Sequence, residues 1–393
     1  MHKSLFLTGA GLAITWDGKS TNGITNDLIC KNKLCCAIYK YLSTKDIKLN
    51  FEEIIYSIEL LFHHNYSYMY SKDNRLNYIF PKVFNVSLPF NDIIKPLVQK
   101  SLKEERVFYH EQFLQAISLI SESIKGYSDL VSQKIDLNTK LEVFIKSFSA
   151  THPPRCYTTN YDRLFIDAVK SIDFFDGFSL KREDTYHRNY RSLDLNKIIQ
   201  DRECNCFYNL HGSIYWDVPY GEDKQLAVFD EGFSSIELNY PNRQQLVTAN
   251  PKEFQLVSPI ITGYNKTQRT NLEPFNVFFN SFLQDSFESD IWFIIGYSFS
   301  DPHINNTLST AYNNREGNSP RIIWVSMEKE CKTEIDLPFK FAEFRELFSL
   351  PPYSEACYKN PDDYFFHSSD RSVYLYFGGF EKFLTDKIWQ QII

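Results

Sequence analysis

Ile291-Trp292-Phe293-Ile294-Ile295-Gly296-Tyr297-Ser298 begins with an uninterrupted apolar run that ends at a glycine. Consecutive apolar residues without polar alternation are typical of a strand that is buried on both faces of a parallel sheet. Arg321 to Ser326 has the same character, and a helix over about residues 303 to 315 is predicted between the two strands. This strand–helix–strand order predicts an α/β fold with parallel strands.

Shorter strands are predicted over residues 3 to 8, at Cys156-Tyr157 and at Cys206-Phe207-Tyr208. Polar segments follow two of them, namely Thr158-Thr159-Asn160-Tyr161-Asp162 and Leu210-His211-Gly212-Ser213. An open α/β sheet binds its ligands at the carboxyl ends of its strands. We therefore expect an amide, a carboxylate and an imidazole to meet at one edge of the sheet.

The region from residue 31 to residue 150 is predicted to be a large helical insertion. Asn50-x-x-Glu53 is a capping box, and apolar residues recur at helical spacing after it and again over 113–124 and 141–148. A polar stretch of roughly residues 63 to 92 is expected to form a loop or lid.

The rest of the chain divides around this insertion. Residues 1–30 and 151–330 are predicted to form one discontinuous core, with 331–393 as a carboxyl-terminal extension. Residues 171 to 203 are polar and predicted to be irregular, and Val373 to Phe377 is expected to be an edge strand.

Composition excludes several classes of protein. A net charge of −7 argues against a general nucleic-acid binder. No stretch approaches the roughly 20 apolar residues that a membrane span requires, and no signal peptide is recognised, so we expect a cytoplasmic protein. The 8 cysteines include no CxxC pair, and free thiols in a reducing compartment are expected.

Gly9-Ala10-Gly11 follows the first strand directly, and glycines there allow backbone N–H groups to approach a pyrophosphate. A tight structural turn explains the motif equally well. The dehydrogenase fingerprint fails, because Ile14 occupies the position of its third glycine and Lys31 lies near the position of its ribose-binding acid. Hydride transfer is therefore disfavoured.

Each polar strand-end residue has a functional and a structural interpretation. Asn160 can orient a water or a ribose hydroxyl. Asp162 can accept a hydrogen bond from a ligand amide or cap the following helix. His211 can act as a general base or be a core histidine whose hydrogen bonds are satisfied. Asp301 is predicted as a helix N-cap and His303 as structural. The histidines at 63, 64, 110, 152 and 187 have no spacing that suggests a metal site.

Four segments, in this order, resemble the sirtuin-like family in its prokaryotic NAD-hydrolysing branch, which is associated with anti-phage defence. They are Thr8-Gly9-Ala10-Gly11, Thr159-Asn160-Tyr161-Asp162, Leu210-His211-Gly212-Ser213 and Gly296-Tyr297-Ser298-Phe299-Ser300-Asp301-Pro302. The resemblance covers the α/β core and implies a Rossmann-like sheet with NAD lying across its carboxyl edge.

The resemblance also implies roles for individual residues. Residues of the two glycine turns would bind the phosphates and riboses of NAD, and these are Gly9, Ala10, Gly11, Gly296 and Ser298. Asn160 would serve the nicotinamide ribose and the attacking water, Asp162 would face the carboxamide, and His211 would be the base. Ser326 and Glu328 lie where the family often contacts the adenosine ribose.

The resemblance implies an NAD+ glycohydrolase that forms nicotinamide and ADP-ribose. Deacetylase sirtuins carry a zinc ribbon of two CxxC pairs, which this sequence lacks, so no zinc is expected and hydrolysis is favoured over deacetylation. A deacylase or ADP-ribosyltransferase and a non-catalytic NAD or ADP-ribose sensor remain alternatives. Activity in family members is typically gated by oligomerisation or by a partner, often a HerA-type ATPase. The resemblance therefore implies a homo-oligomer, with such an ATPase as a candidate partner.

Overall fold

The computed structural model of the protein describes residues 3–44, 49–70, 102–149, 152–184, 187–219, 226–229, 259–262, 270, 273–315, 319–327, 339–350, 357–360 and 365–392. A mostly parallel sheet of eight strands lies at its centre, with helices on both faces. The prediction of an α/β fold with a Rossmann-like parallel sheet is thereby confirmed. Within the described ranges, no helix is both long and apolar enough to cross a membrane.

The elements of the amino-terminal half are β1 (Ser4–Thr8), α1 (Ala10–Thr15), α2 (Thr21–Lys31), α3 (Lys33–Ser43), α4 (Phe51–Tyr70), α5 (Leu102–Lys125), α6 (Tyr127–Gln133), α7 (Ile135–Ser149), β2 (Arg155–Thr158) and α8 (Leu164–Ala168). The region between β1 and β2 is thus helical where it is described, as the apolar spacing predicts. The capping box is formed, because the backbone N–H of Asn50 donates to Glu53 Oε2 at 2.8 Å.

The elements that follow are β3 (Phe178–Glu183), β4 (Asn189–Leu193), α9 (Leu195–Gln200), β5 (Cys206–Asn209), β6 (Trp216–Asp217), β7 (Ala227–Phe229), α10 (Phe275–Glu288), β8 (Ile291–Ile295), α11 (Pro302–Asn313), β9 (Arg321–Val325), α12 (Phe339–Leu347), β10 (Cys357–Asn360), β11 (Phe365–Ser368), β12 (Val373–Tyr376) and α13 (Phe380–Thr385). A short 3-10 helix over Ile388–Gln391 comes after α13.

The strand order in the central sheet is β10-β11-β12-β9-β8-β1-β2-β5. β11 is antiparallel to β10 and to β12, and every other pairing is parallel. After β1 the chain adds β2 and β5 on one side, and β8, β9 and β12 on the other. The boundary between β1 and β8 is therefore the topological switch point, where open α/β sheets bind their ligands.

The helical insertion packs on one face of this sheet through aromatic side chains. Phe144 of α7 is fully buried, and its ring centroid lies 5.7 Å from that of Phe6 and 5.1 Å from that of Phe293. The opposite face holds a second apolar cluster that includes Trp292 and Trp324. Because both faces are covered, β8 is apolar throughout, as its sequence indicates.

Two local expectations are wrong, and a third fails over the part of it that the structure describes. Residues 171 to 203 are not irregular, since β3 and β4 belong to a small antiparallel sheet of order β3-β4-β7-β6. β12 is not an edge strand, because β10 and β11 add beyond it. The polar stretch from residue 63 begins as helix, since α4 continues to Tyr70, and residues 71–92 lie outside the described ranges.

The turns after β1 and β8 pack backbone against backbone at the carboxyl edge of the sheet. The N–H of Gly11 donates to the carbonyl of Gly296 at 2.9 Å. Gly296 has φ of +62°, and a Cβ there would lie 2.5 Å from the nitrogen of Leu12. The glycines at both turns are therefore required by the close approach of the two turns to each other.

We expect Gly296→Ala to destabilise the protein by at least about 1–3 kcal/mol, because the new residue must hold a left-handed conformation and displace backbone atoms. Gly126→Ala is the matched control. Gly126 has φ of −71°, and nothing lies within 4 Å of its added Cβ, so this change should be neutral or stabilising by about 0.4–1 kcal/mol. Chemical denaturation of both variants measures the difference, and equal stabilities would contradict the close-approach interpretation.

Candidate functional site

A cavity of about 950 Å³ lies at the carboxyl ends of the central strands, across the switch point. Its size is at the upper end of the range for small-molecule sites. Most of the predicted site residues line it: Ala10, Gly11, Asn160, Asp162, His211, Gly296, Ser298 and Ser326. Gly9 does not line the cavity, but its carbonyl accepts a hydrogen bond from Asn160. Glu328 lies outside the described ranges.

Asn160 is fixed at the end of β2 by bonds to the neighbouring strands. Its Nδ2 donates to the carbonyl of Gly9 at 3.1 Å, and its own carbonyl accepts from Asn209 Nδ2 at 3.1 Å. The residue is 8% exposed. Since the amide nitrogen is directed to Gly9, the amide oxygen is the group that can accept a hydrogen bond from a water or a ribose hydroxyl in the cavity.

Asp162 is placed for both of the roles that its sequence position allows, namely capping the following helix and facing a ligand. Its Oδ1 accepts from the backbone N–H of Leu164 at 2.9 Å, at the start of α8, and the residue also lines the cavity. Burial raises the pKa of its carboxyl group from 3.8 to about 6, although the bond from Leu164 acts in the opposite direction. A carboxyl group in this range can be an acceptor or a donor near neutral pH.

His211 is buried beside the cavity on the segment that follows β5. Its carbonyl accepts from the N–H of Ile261 at 2.7 Å, and the next residue, Gly212, has φ of +85°. A Cβ on Gly212 would lie 2.1 Å from the carbonyl oxygen of Pro259. The glycine after His211 is therefore needed to bring residues 259–261 against the site.

His303 makes a contact that the sequence does not predict. Nε2 of His303 lies 2.8 Å from Nε2 of His211, so one imidazole donates to the other. Asp301 occupies the N-cap position of α11 as predicted, but its side chain makes no capping hydrogen bond. The potential ligand atoms of His211, Asp301 and His303 all lie within 4.8 Å of one another, and this is the group among the described residues that could hold a metal ion.

The serines of the predicted site lie on the other side of the switch point. Ser298 Oγ and Ser300 Oγ are 2.8 Å apart, and Ser326 follows β9 at the next strand end. The N–H of Gly379 donates to the carbonyl of Ser326 at 3.0 Å, which brings the start of α13 to the cavity. Hydroxyl groups are thus concentrated opposite Asn160, Asp162 and His211.

Sequence reasoning missed residues that two other regions contribute to the cavity wall. From the insertion come Asn50, Phe51, Glu52, Ile124 and Tyr127, and from the carboxyl-terminal region come Gly378, Gly379, Phe380, Glu381, Lys382 and Thr385. The hydroxyl of Tyr161, on the same turn as Asn160, lies 3.1 Å from Glu52 Oε1. The capping box at Asn50 marks a helix start but gives no sign that this start reaches the sheet edge.

Residues 154–343 match the family described as SIR2-like domain. The matched segment contains Asn160, His211, Gly296 and Ser326 and excludes the Gly9–Gly11 turn. The match supports a sirtuin-like family and an NAD-related activity. No protein with curated annotation matches the sequence significantly. A sirtuin zinc ribbon does not fit this chain, because its sequence has no CxxC pair.

Asp162→Asn should stabilise the protein at pH 8 by up to about 3 kcal/mol, the free energy that corresponds to the raised pKa. The folded pKa lies above the unfolded value, so the penalty for ionisation is complete above about pH 6 and disappears as the pH falls towards 3.8. Denaturation at pH 8 and pH 4 measures this effect. Asp173→Asn, at an exposed aspartate, is the control. A gain that is the same at both pH values would refute the buried-charge explanation.

Proposed function

We propose that this protein is an NAD+ glycohydrolase that transfers the ADP-ribosyl group of NAD to water. The observation that carries the proposal is the meeting of Asn160, Asp162 and His211 with the two glycine turns in one cavity at the switch point. The roles of Gly9, Ala10, Gly11, Gly296, Ser298 and Ser326 in binding the phosphates and riboses belong to the same proposal. The division of the chain into a core, an insertion and an extension is also part of the proposal, and residues of all three line the cavity.

The reaction requires little acid catalysis, because the nicotinamide ring of NAD+ is positively charged and leaves as a neutral molecule. As the bond from C1′ to nitrogen lengthens, the ribose gains oxocarbenium character, as in glycoside hydrolysis. Water adds to C1′, and one proton is released. Overall, NAD+ and water give nicotinamide, ADP-ribose and a proton.

The three polar residues have separate tasks in this reaction. The amide oxygen of Asn160 orients the water or the ribose hydroxyl, and burial of the site removes competing solvent. His211 accepts the proton that the water or the hydroxyl loses. Asp162 accepts a hydrogen bond from the carboxamide of nicotinamide and so fixes the ring that leaves.

Replacing either proposed catalytic residue should lower NAD turnover by roughly 10²–10⁴-fold, as loss of a general base or of water positioning does. The variants are Asn160→Ala and His211→Ala, and chromatography of nicotinamide and ADP-ribose measures turnover. Matched controls are Asn306→Ala and His187→Ala, since both residues are exposed and neither lines the cavity.

Three outcomes of this experiment would contradict the proposal. Equal turnover by all variants would exclude the assigned residues. NAD that is bound but left intact by the wild-type protein would favour a sensor. ADP-ribose recovered on a peptide, or a deacylated peptide, would favour a transferase or deacylase.

We also propose that the activity depletes NAD in anti-phage defence and is restrained until the protein assembles with itself or with a HerA-type ATPase. Four motifs in family order support this branch, and an unrestrained NAD hydrolase would damage its own cell. Cavity walls from the insertion and from the carboxyl-terminal region support control by assembly, because contacts on either region can alter the site.

Specific NAD turnover should rise with protein concentration, in step with the appearance of an oligomer. Light scattering coupled to size-exclusion chromatography, in the assay buffer, measures the oligomer while turnover is followed. A monomer with full activity that is independent of concentration would overturn the proposed restraint, without bearing on the catalytic residues.

A further inference from the structure

We propose that His303 is a positioning residue that holds the ring of His211 in one tautomer and orientation through the bond between their Nε2 atoms. This inference rests on the proposed function, in which His211 is the base. His303 itself does not line the cavity, whereas His211 does, so His303 acts on the reaction through His211.

The shared hydrogen bond restricts the proton states of the pair. Two nitrogens 2.8 Å apart accommodate one hydrogen between them, so two N–H groups cannot face each other. Because Nε2 of His211 is engaged in this bond, the proton that His211 accepts goes to Nδ1. Neutral His211 must therefore carry its hydrogen on Nε2 and donate it to His303, and this bond is kept when His211 becomes charged and His303 stays neutral. His303 then accepts a hydrogen bond from the catalytic histidine and fixes its orientation, as the carboxylate does in a hydrolase triad.

The position of His303 in α11 favours this neutral state. Pro302 and His303 begin the helix, and the amino-terminal end of a helix carries partial positive charge. A second cation is disfavoured there. The carboxylate of Asp301 lies within 4.8 Å of both imidazoles and stabilises a single positive charge on the pair.

The ring of His303 is held in place from several sides. Its centroid lies 5.4 Å from that of Phe279 and 5.0 Å from that of His211. The backbone beneath it is fixed as well, since Thr307 Oγ1 donates to the carbonyl of His303 at 3.0 Å. A ring that is packed on one side and hydrogen-bonded on the other can orient its partner.

A divalent cation bound by His211, Asp301 and His303 is the competing interpretation of the same residues. Two imidazoles and a carboxylate are a common ligand set. Nitrogens that bind one tetrahedral ion at about 2.0–2.1 Å lie about 3.3 Å apart, which is longer than the 2.8 Å between these Nε2 atoms. The distance favours a hydrogen bond.

Long-range proton–nitrogen NMR of protein labelled with ¹⁵N-histidine tests the pairing without requiring turnover. The signals of His211 are identified by their loss in His211→Gln. We expect the tautomer with hydrogen on Nε2 for neutral His211 in the wild-type protein and a mixture of both tautomers in His303→Ala. An unchanged His211 pattern in His303→Ala would overturn the proposal, as would a stoichiometric divalent metal in the wild-type protein that is missing from this variant.

Kinetics provides the second measurement. His303→Ala should lower kcat for NAD hydrolysis roughly 10–100-fold with little change in KM, in the way that loss of an orienting partner does. His303→Gln should recover part of this loss, because its amide can also donate or accept. Asn306→Ala, an exposed position on the same helix, should match the wild-type protein.

These measurements separate the two proposals. Wild-type protein that pairs His211 with His303 but hydrolyses no NAD contradicts the proposed function and leaves the pairing established. Equal kcat for the wild-type protein and His303→Ala, in an active enzyme, overturns the positioning role alone.

Discussion

The backbone contact between the Gly9–Gly11 turn and Gly296 is the constraint on which the rest of the site depends. It joins the ends of β1 and β8 where the direction of strand addition reverses, and it leaves no room for a side chain. The two sides of the cavity differ as a result. The ends of β2 and β5 present Asn160, Asp162 and His211, while the ends of β8 and β9 present hydroxyl groups.

The site retains ionisable groups where an apolar core would be more stable. Burial raises the pKa of Asp162 to about 6, so its charge at neutral pH opposes folding. Asp301, 8% exposed, occupies a helix start without capping it, and His211 is 2% exposed. Folding alone does not require this arrangement. Buried ionisable side chains at the switch point of an α/β sheet are typical of a site that binds and transforms a charged ligand.

The sequence predicts the central strands and the polar residues at their ends because both are local features: an apolar run, and the residues that end it. The strand β3 is not predictable in this way. Phe178 is its one buried residue, so its sequence shows no alternation of apolar and polar side chains. The position of β12 depends on pairing with β11, which no residue within β12 specifies. The contact of His211 with His303 is less predictable still, because β1 and β2 lie between the strands that precede them.

Tyr161 connects the proposed chemistry to the insertion. It lies between Asn160 and Asp162 in the sequence, and its hydroxyl lies 3.0 Å from the carbonyl of Ile261 and 3.1 Å from Glu52 Oε1. Glu52 belongs to the first turn of α4, so a displacement of that helix must either break this contact or move the turn that bears both polar residues. Ile261 in turn bonds to the backbone of His211. An assembly that holds α4 in position would therefore act on all three residues through Tyr161 and Ile261. These contacts give the proposed release of activity on assembly a physical route to the site.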